Sequence, residues 1–221
     1  MQYEALREQF CEVGRRMYAK NFGGSNDGNL SVRLDEERVM ITPGGVSKGF
    51  LKPGDMLVVD RAGTVLEGQG RPSSETRMHL KIYACREDVH AVCHAHPQKA
   101  TAFAACRKGF EEVVLPEVLF AVGEVRLAPY ATPTTEQVPN AIESVLAEAD
   151  AILLSNHGAV TLDRDLFGAF YRMEALEHAA SILLYAQMLG GGVPLSGAEV
   201  EQLRKVKEGL YPKKGGGGRE A

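Results

Sequence analysis

The sequence predicts an α/β protein built on a mixed, largely antiparallel sheet with helices packed on it. Three observations carry this. Strand-like runs come in adjacent pairs joined by short polar turns: "LSVRL" with "RVMITP", and "DMLVVD" with "TVLEG". Other strand-like runs alternate with segments of helical period, as where Met78, Ile82 and Cys85 precede "HAVCHAH". Neither pattern runs through the whole chain, which argues against a purely parallel, doubly wound sheet. With 221 residues and 44% hydrophobic content, the chain can bury one large core. A single domain is expected over residues 1–212. The glycine-rich segment 213–221 is expected to be a flexible tail.

In chain order, residues 2–20 read as a helix, because Leu6, Phe10, Val13 and Met17 share one face. "NFGGSNDGN" is a loop, followed by the first strand pair around the turn "DEER". "GGVSKG" is a second loop, and the next pair forms a hairpin around "RAG". "RPSSETRMHLKIYACRED" turns helical, with Ser73 or Ser74 able to cap its start. "HAVCHAH" is a strand. "PQKATAFAACRKG" opens a helix with Pro97 near its first position, and "VRLAPYA" is extended. Residues 136–149 form a helix, "DAILLSNHG" a buried strand with a polar tip, 165–189 a long amphipathic helix and 197–209 a shorter one.

The chemistry concentrates in "CHAHP". Residues two apart on a strand point to the same face, so His94 and His96 project together while Cys93 and Ala95 face away. Two imidazoles do not make a catalytic metal site, which usually takes three protein ligands and keeps one position open. His157, at the end of another apolar strand and followed by a glycine, is the third candidate. His79 and His178 lie inside helical patterns and His90 starts its strand, so these three read as packing or surface residues.

Three loops, "GNLS", "TPGG" and "SSE", carry the small polar residues that let a backbone approach an anion. Ser73 and Ser74 precede a helix, where free N–H groups favour a phosphate, although either is equally an ordinary cap. Glu75 reads in two ways: as a carboxylate favoured at a helix start, or as a fourth metal ligand able to act as a base. Lys48 reads as a solvated loop lysine.

The order GNLS, TPGG, PSSE, HAH, NHG resembles the zinc-dependent class II aldolase and adducin family. That family includes L-fuculose-1-phosphate aldolase, L-ribulose-5-phosphate 4-epimerase and adducin heads. The resemblance runs from about residue 5 to residue 210. It implies a three-layer α/β/α sandwich and a homotetramer with active sites at subunit interfaces. It implies that His94, His96 and His157 bind zinc, with manganese, cobalt or iron as alternatives. Glu75 would bind the resting metal and serve as acid/base. Gly28, Asn29, Gly44, Gly45, Ser73 and Ser74 would bind phosphate.

The fuculose-phosphate members place a tyrosine ahead of "APYA". Here the stretch "VVLPEVLFAVGEVRLAPYA" has no tyrosine before Tyr130, and Glu117 falls nearest, which leaves open the group that protonates the aldehyde oxygen. Tyr211 matches a C-terminal tyrosine that reaches the neighbouring site, or is a surface residue. The activity implied is cleavage of a ketose 1-phosphate to dihydroxyacetone phosphate and an aldehyde. A 4-epimerase, a methylthioribulose-phosphate dehydratase and a sugar-acid phosphate decarboxylase are the alternatives on the same scaffold. An adducin-like assembly role is disfavoured because every ligand is present.

The remaining features bound the partners. A net charge of −4 with interspersed signs argues against nucleic acid. No apolar run reaches the length of a membrane span, and the first ten residues do not read as a signal peptide. Four scattered cysteines read as reduced thiols in a cytoplasmic protein.

Overall fold

A computed structural model of the chain describes residues 3–110, 113–147 and 149–210. Eight strands form one sheet: β1 (Asn29–Arg33), β2 (Arg38–Ile41), β3 (Leu57–Asp60), β4 (Val65–Glu67), β5 (Ala91–Ala95), β6 (Val125–Ala128), β7 (Ala151–Leu154) and β8 (Gly158–Asp163). Their order across the sheet is β4-β3-β2-β1-β5-β8-β7-β6. Every neighbouring pair is antiparallel except β6 with β7.

The described residues form six α-helices: α1 (Glu4–Ala19), α2 (Thr76–Cys85), α3 (Gln98–Ala105), α4 (Gln137–Leu146) and α5 (Leu166–Met188), which cover the sheet, and α6 (Gly197–Leu210), which packs against the turn at 118–122. The alternation of side chains along each strand splits the core in two. Leu30, Met40, Val58, Cys93, Leu153 and Ala159 pack with α1, α3 and α5. Ile41, Val59, Val92, Ile152, Val160 and Leu162 pack with α2 and α4 on the opposite face. The result is the three-layer α/β/α sandwich. Burial of each large side chain in these layers contributes ~1.5–3 kcal/mol.

The helices follow their apolar faces. In α5, Leu166, Ala169, Phe170, Met173, Leu176 and Ala180 recur at helical spacing and are buried. The Asp165 side chain caps α5 by accepting the Gly168 N–H at 2.8 Å. In α1, Phe10, Val13 and Met17 are buried, and Arg7 donates to the Pro53 and Met56 carbonyls.

Two starts differ from the sequence reading. Helix α2 begins at Thr76, with Glu75 in the cap position and Ser73–Ser74 in the preceding turn. Pro72 is bridged to Pro43, and the Gly44 N–H donates to the Arg71 carbonyl, which holds this stretch extended. Pro97 likewise caps α3 and does not enter its first turn.

Antiparallel pairing positions the site. The C-terminal end of β5 lies between the N-terminal ends of β1 and β8, with Asn29 opposite His94 and Ala95 opposite Ala159. The C-terminal end of β2, leading into Thr42–Gly45, neighbours the same end of β1. The motif loops therefore meet at one end of the central strands β2, β1, β5 and β8.

Candidate active site

The three candidate histidines converge. His94 is fully buried on the α2 and α4 side of β5. Its Nδ1–H donates to the Ala159 carbonyl at 2.9 Å, which turns Nε2 toward the other two rings. His96 follows the strand end, with its backbone N–H bonded to the Phe22 carbonyl. Its Nδ1 lies 3.5 Å from Asp27 Oδ2.

His157 sits in the turn between β7 and β8. Asn156 before it adopts φ 59°, a left-handed conformation that asparagine tolerates, and donates from its side chain to the Ala105 carbonyl. Each pair of the three rings has centroids 5.0 Å apart. One nitrogen from each ring lies within 4.8 Å of the others. Cys93 packs on the opposite face, as the strand period predicts.

Glu75 closes the cluster. Its Oε2 lies 2.7 Å from His94 Nε2, and its Oε1 lies 3.2 Å from His157 Nε2. Asn29 Nδ2 donates to Oε2 at 3.1 Å. Burial opposes ionisation of this carboxyl, but His94, His157 and the Asn29 amide outweigh it and hold it well below the usual carboxylate range. Burial, and then the neighbouring His94, push His157 down to about 4 and lower His96, so both are neutral donors near neutral pH.

The donor set fits a divalent cation. The Nε2 atoms of His94 and His96 face each other at 3.2 Å, and Glu75 Oε1 is buried without a hydrogen-bond partner. Three convergent imidazole nitrogens, with a carboxylate against two of them, fit catalytic metal chemistry.

A cavity of about 220 Å³ opens onto Glu75, His96 and His157. Gly28, Asn29, Gly44, Gly45, Ser73 and Ser74 all line it, as the sequence motifs predict. Gly28 has φ +79°, and a Cβ there would meet the His94 carbonyl at 2.8 Å, so the loop needs a glycine to pass this strand. A larger hollow of about 490 Å³, lined by Arg33, Glu37, Arg61 and Tyr83, contains none of the histidines.

Lys48 is not the solvated loop residue the sequence suggests. It lines the same cavity, is only 5% exposed, and donates to the Asn26 carbonyl at 3.0 Å and to the Val46 carbonyl. Burial pushes its ammonium down to about 8. His79 is not simply a packing residue either. It is fully buried and bonded through Nε2 to Asn29 Oδ1. His90 and His178 are exposed.

Glu117 is exposed at the start of a short π-helical turn, Val118–Val122, and does not line the cavity. Tyr211 and the tail 213–221 lie outside the described residues. Sequence reasoning passed over Asp27 and the His79 link. The spacing from Glu75 to His79 is one helical turn, which was the available signal for the second.

A three-layer sandwich in which the ends of the central strands gather three histidines, a carboxylate and small-residue loops has the form of a metal-site enzyme scaffold. Residues 8–184 match the family described as Class II Aldolase and Adducin N-terminal domain, and the chain belongs to it as an enzyme of the aldolase class. It is 35% identical over 178 residues to the L-fuculose phosphate aldolase of Methanococcus maripaludis, covering 79% of this chain and 93% of that one. It is 33% identical over 205 residues to the 5-deoxy-D-ribulose 1-phosphate aldolase of Bacillus thuringiensis, covering 92% and 95%. It is 32% identical over 188 residues to the 3-oxo-tetronate 4-phosphate decarboxylase of Haemophilus influenzae, covering 83% and 89%. A solved L-fuculose 1-phosphate aldolase superposes with a TM-score of 0.85 at 31% identity, covering 93% of this chain and 97% of that one. Among the described residues no helix is long and apolar enough to cross a membrane.

Proposed function

We propose that the chain is a metal-dependent aldolase that reversibly cleaves a ketose 1-phosphate to dihydroxyacetone phosphate and an aldehyde. L-fuculose 1-phosphate or a related deoxy-sugar phosphate is the substrate. One observation carries the reading: Glu75 is held between His94 and His157 at the floor of a cavity walled by the small-residue loops. His94, His96 and His157 would hold the metal. Zinc suits this set, with manganese, cobalt and iron as alternatives. When bound, the ion acts as a Lewis acid toward the negative charge that develops on the substrate oxygens.

The chain's own groups do the rest. The loops at Gly44–Gly45 and Ser73–Ser74, with Gly28 and Asn29, bind the phosphate and fix the ketose in the cavity. Cleavage breaks the C3–C4 bond, and the C4 hydroxyl loses its proton as the aldehyde forms. Glu75, ionised at rest, takes up a proton as the C4 hydroxyl releases one and passes it to the electron pair left on C3, which yields dihydroxyacetone phosphate. In the synthetic direction Glu75 removes that proton. The group that exchanges a proton with the aldehyde oxygen comes from Glu117 or Tyr211 of an adjoining subunit. That assignment goes with a homotetramer whose sites lie at subunit interfaces. Four free cysteines fit a cytoplasmic enzyme.

The test is dihydroxyacetone phosphate release from a panel of ketose 1-phosphates, before and after chelation. Release that chelation abolishes and added metal restores supports the reading. The likeness to a 3-oxo-tetronate 4-phosphate decarboxylase favours one second reading, in which carbon dioxide leaves in place of the aldehyde. Carbon dioxide release from a 3-oxo sugar-acid phosphate, with no ketose cleavage, would establish it.

A further inference from the structure

We propose that His79 is a positioning residue for this site, acting through the Asn29 amide at the head of a buried hydrogen-bond chain. The proposal rests on the reading of Glu75 as the acid/base.

Glu75, in the cap position of α2, and His79 and Tyr83 within it are each four residues apart, and all three contact β1. His79 is wholly buried between them. Its Nδ1 is 2.6 Å from Ser31 Oγ, and Ser31 Oγ is 2.7 Å from the Tyr83 hydroxyl. Its Nε2 meets Asn29 Oδ1, and Asn29 Nδ2 donates to Ser73 Oγ at 3.0 Å and to Glu75 Oε2 at 3.1 Å.

The carboxylate end fixes the direction of the donors, since the Tyr83 hydroxyl has the Ser31 hydroxyl and the His90 carbonyl in reach. An ionised Glu75 accepts and cannot donate, so the Asn29 Nδ2 must face it. That turns Asn29 Oδ1 toward His79, which must then carry its proton on Nε2. His79 Nδ1 is left as an acceptor for the Ser31 hydroxyl, and the Tyr83 hydroxyl donates to Ser31. The reverse direction would point an amide oxygen at the carboxylate. His79 therefore fixes which end of the Asn29 amide enters the site. With it are fixed one bond to the acid/base and one to a serine of the phosphate loop. Buried chains of this kind hold a single arrangement because an unpaired member is costly.

Two variants separate the roles. The longer amide of His79→Gln can place an N–H where Nε2 stands, whereas that of His79→Asn reaches only the region of Nδ1. Both leave similar space, so a merely structural role would make them alike. On metal-loaded protein, His79→Gln should keep kcat within about threefold, while His79→Asn should lose about 10–100-fold, the usual range for a group that orients a site residue. KM should change less than kcat, and affinity for inorganic phosphate should fall only in His79→Asn. Metal content should stay at the wild-type level in both. Equal losses in the two variants, tracking their loss of stability, would overturn the proposal.

A second readout needs no activity. In the ¹⁵N spectrum of the histidine-labelled wild-type protein, His79 should appear as the Nε2–H tautomer. The Nδ1–H tautomer would overturn the proposal directly. If the wild type cleaves no ketose phosphate, the functional reading fails, while the tautomer and the phosphate affinities still decide the role of His79.

Discussion

Gly158 is the first residue of β8 and follows the third histidine. A Cβ added there would stand 2.4 Å from His96 Cδ2 and 2.7 Å from the Ala95 carbonyl oxygen. Ordinary carbon contacts lie at ~3.5–4.0 Å, so in Gly158→Ala the ring must retreat by about 1 Å. A metal–imidazole bond of ~2.0–2.1 Å tolerates a shift of only about 0.2 Å. The retreat is several times that tolerance, and His96 leaves the ligand set. The contact with Ala95 also presses on the pairing of Ala95 with Ala159, whose carbonyl orients His94.

Loss of an outer partner of a metal ligand already costs about 10–100-fold in affinity. Removal of the ligand itself should cost at least ~100-fold, or about 2.7 kcal/mol. The assay is metal affinity against a competing chelator, with circular dichroism to confirm the fold. Gly45→Ala is the control: Gly45 has φ +75° but no atom within 4 Å of an added Cβ. It should lose about 1–2 kcal/mol of stability and keep its metal. Wild-type affinity in folded Gly158→Ala would refute the argument that this glycine exists to make room for His96.

The other expectations follow from the same geometry. His157→Ala should lose both bound metal and turnover, measured by elemental analysis and product release. Glu75→Gln should retain metal yet lose about 10²–10⁴-fold in turnover, because the amide cannot take up the proton. Chelation should abolish product release, and the metal that best restores it identifies the preferred ion.

His79 should make stability acid-sensitive. The unfolded chain protonates it near 6.5, but burial, reinforced by the charge of His94, lowers the folded value to about 3. The unfolded state thus binds more protons between these values, and stability falls as pH drops below about 6.5. From pH 7 to pH 5 the loss is about 2 kcal/mol. Urea unfolding at the two pH values should show a loss in the wild type that exceeds the loss in His79→Gln by about this amount, because His157 and His96, also lowered, still contribute in the variant.

Much of this was legible in sequence because it depends on fixed periods. The long helix expected over 165–189 is Leu166–Met188, since an unbroken apolar face starts at a capping aspartate. The shared face of His94 and His96 follows from the pleat alone. The start of α2 was not legible, because the Pro43–Pro72 bridge and the Gly44–Arg71 hydrogen bond delay the helix from outside it. Nor was the burial of Lys48, which depends on α1 packing so closely that a Cβ on Gly14 would sit 2.3 Å from the Lys48 carbonyl oxygen. His79 could be placed on the Glu75 face of its helix, but its partner lies 50 residues upstream.

What the separate motifs share is strand register. Asn29 pairs with His94, Leu30 with Cys93 and Ser31 with Val92. A slip of one residue between β1 and β5 would turn Asn29 and Ser31 to the α1, α3 and α5 face, away from Glu75 and His79 on α2. It would also drive Leu30 out of the apolar layer where Cys93 packs, so burial on both faces penalises it. The same hydrophobic alternation that stabilises the sheet therefore aligns the small-residue loops, Glu75 and the three candidate metal-binding histidines. The active site gains its precision from core packing and not from the loops that carry its residues.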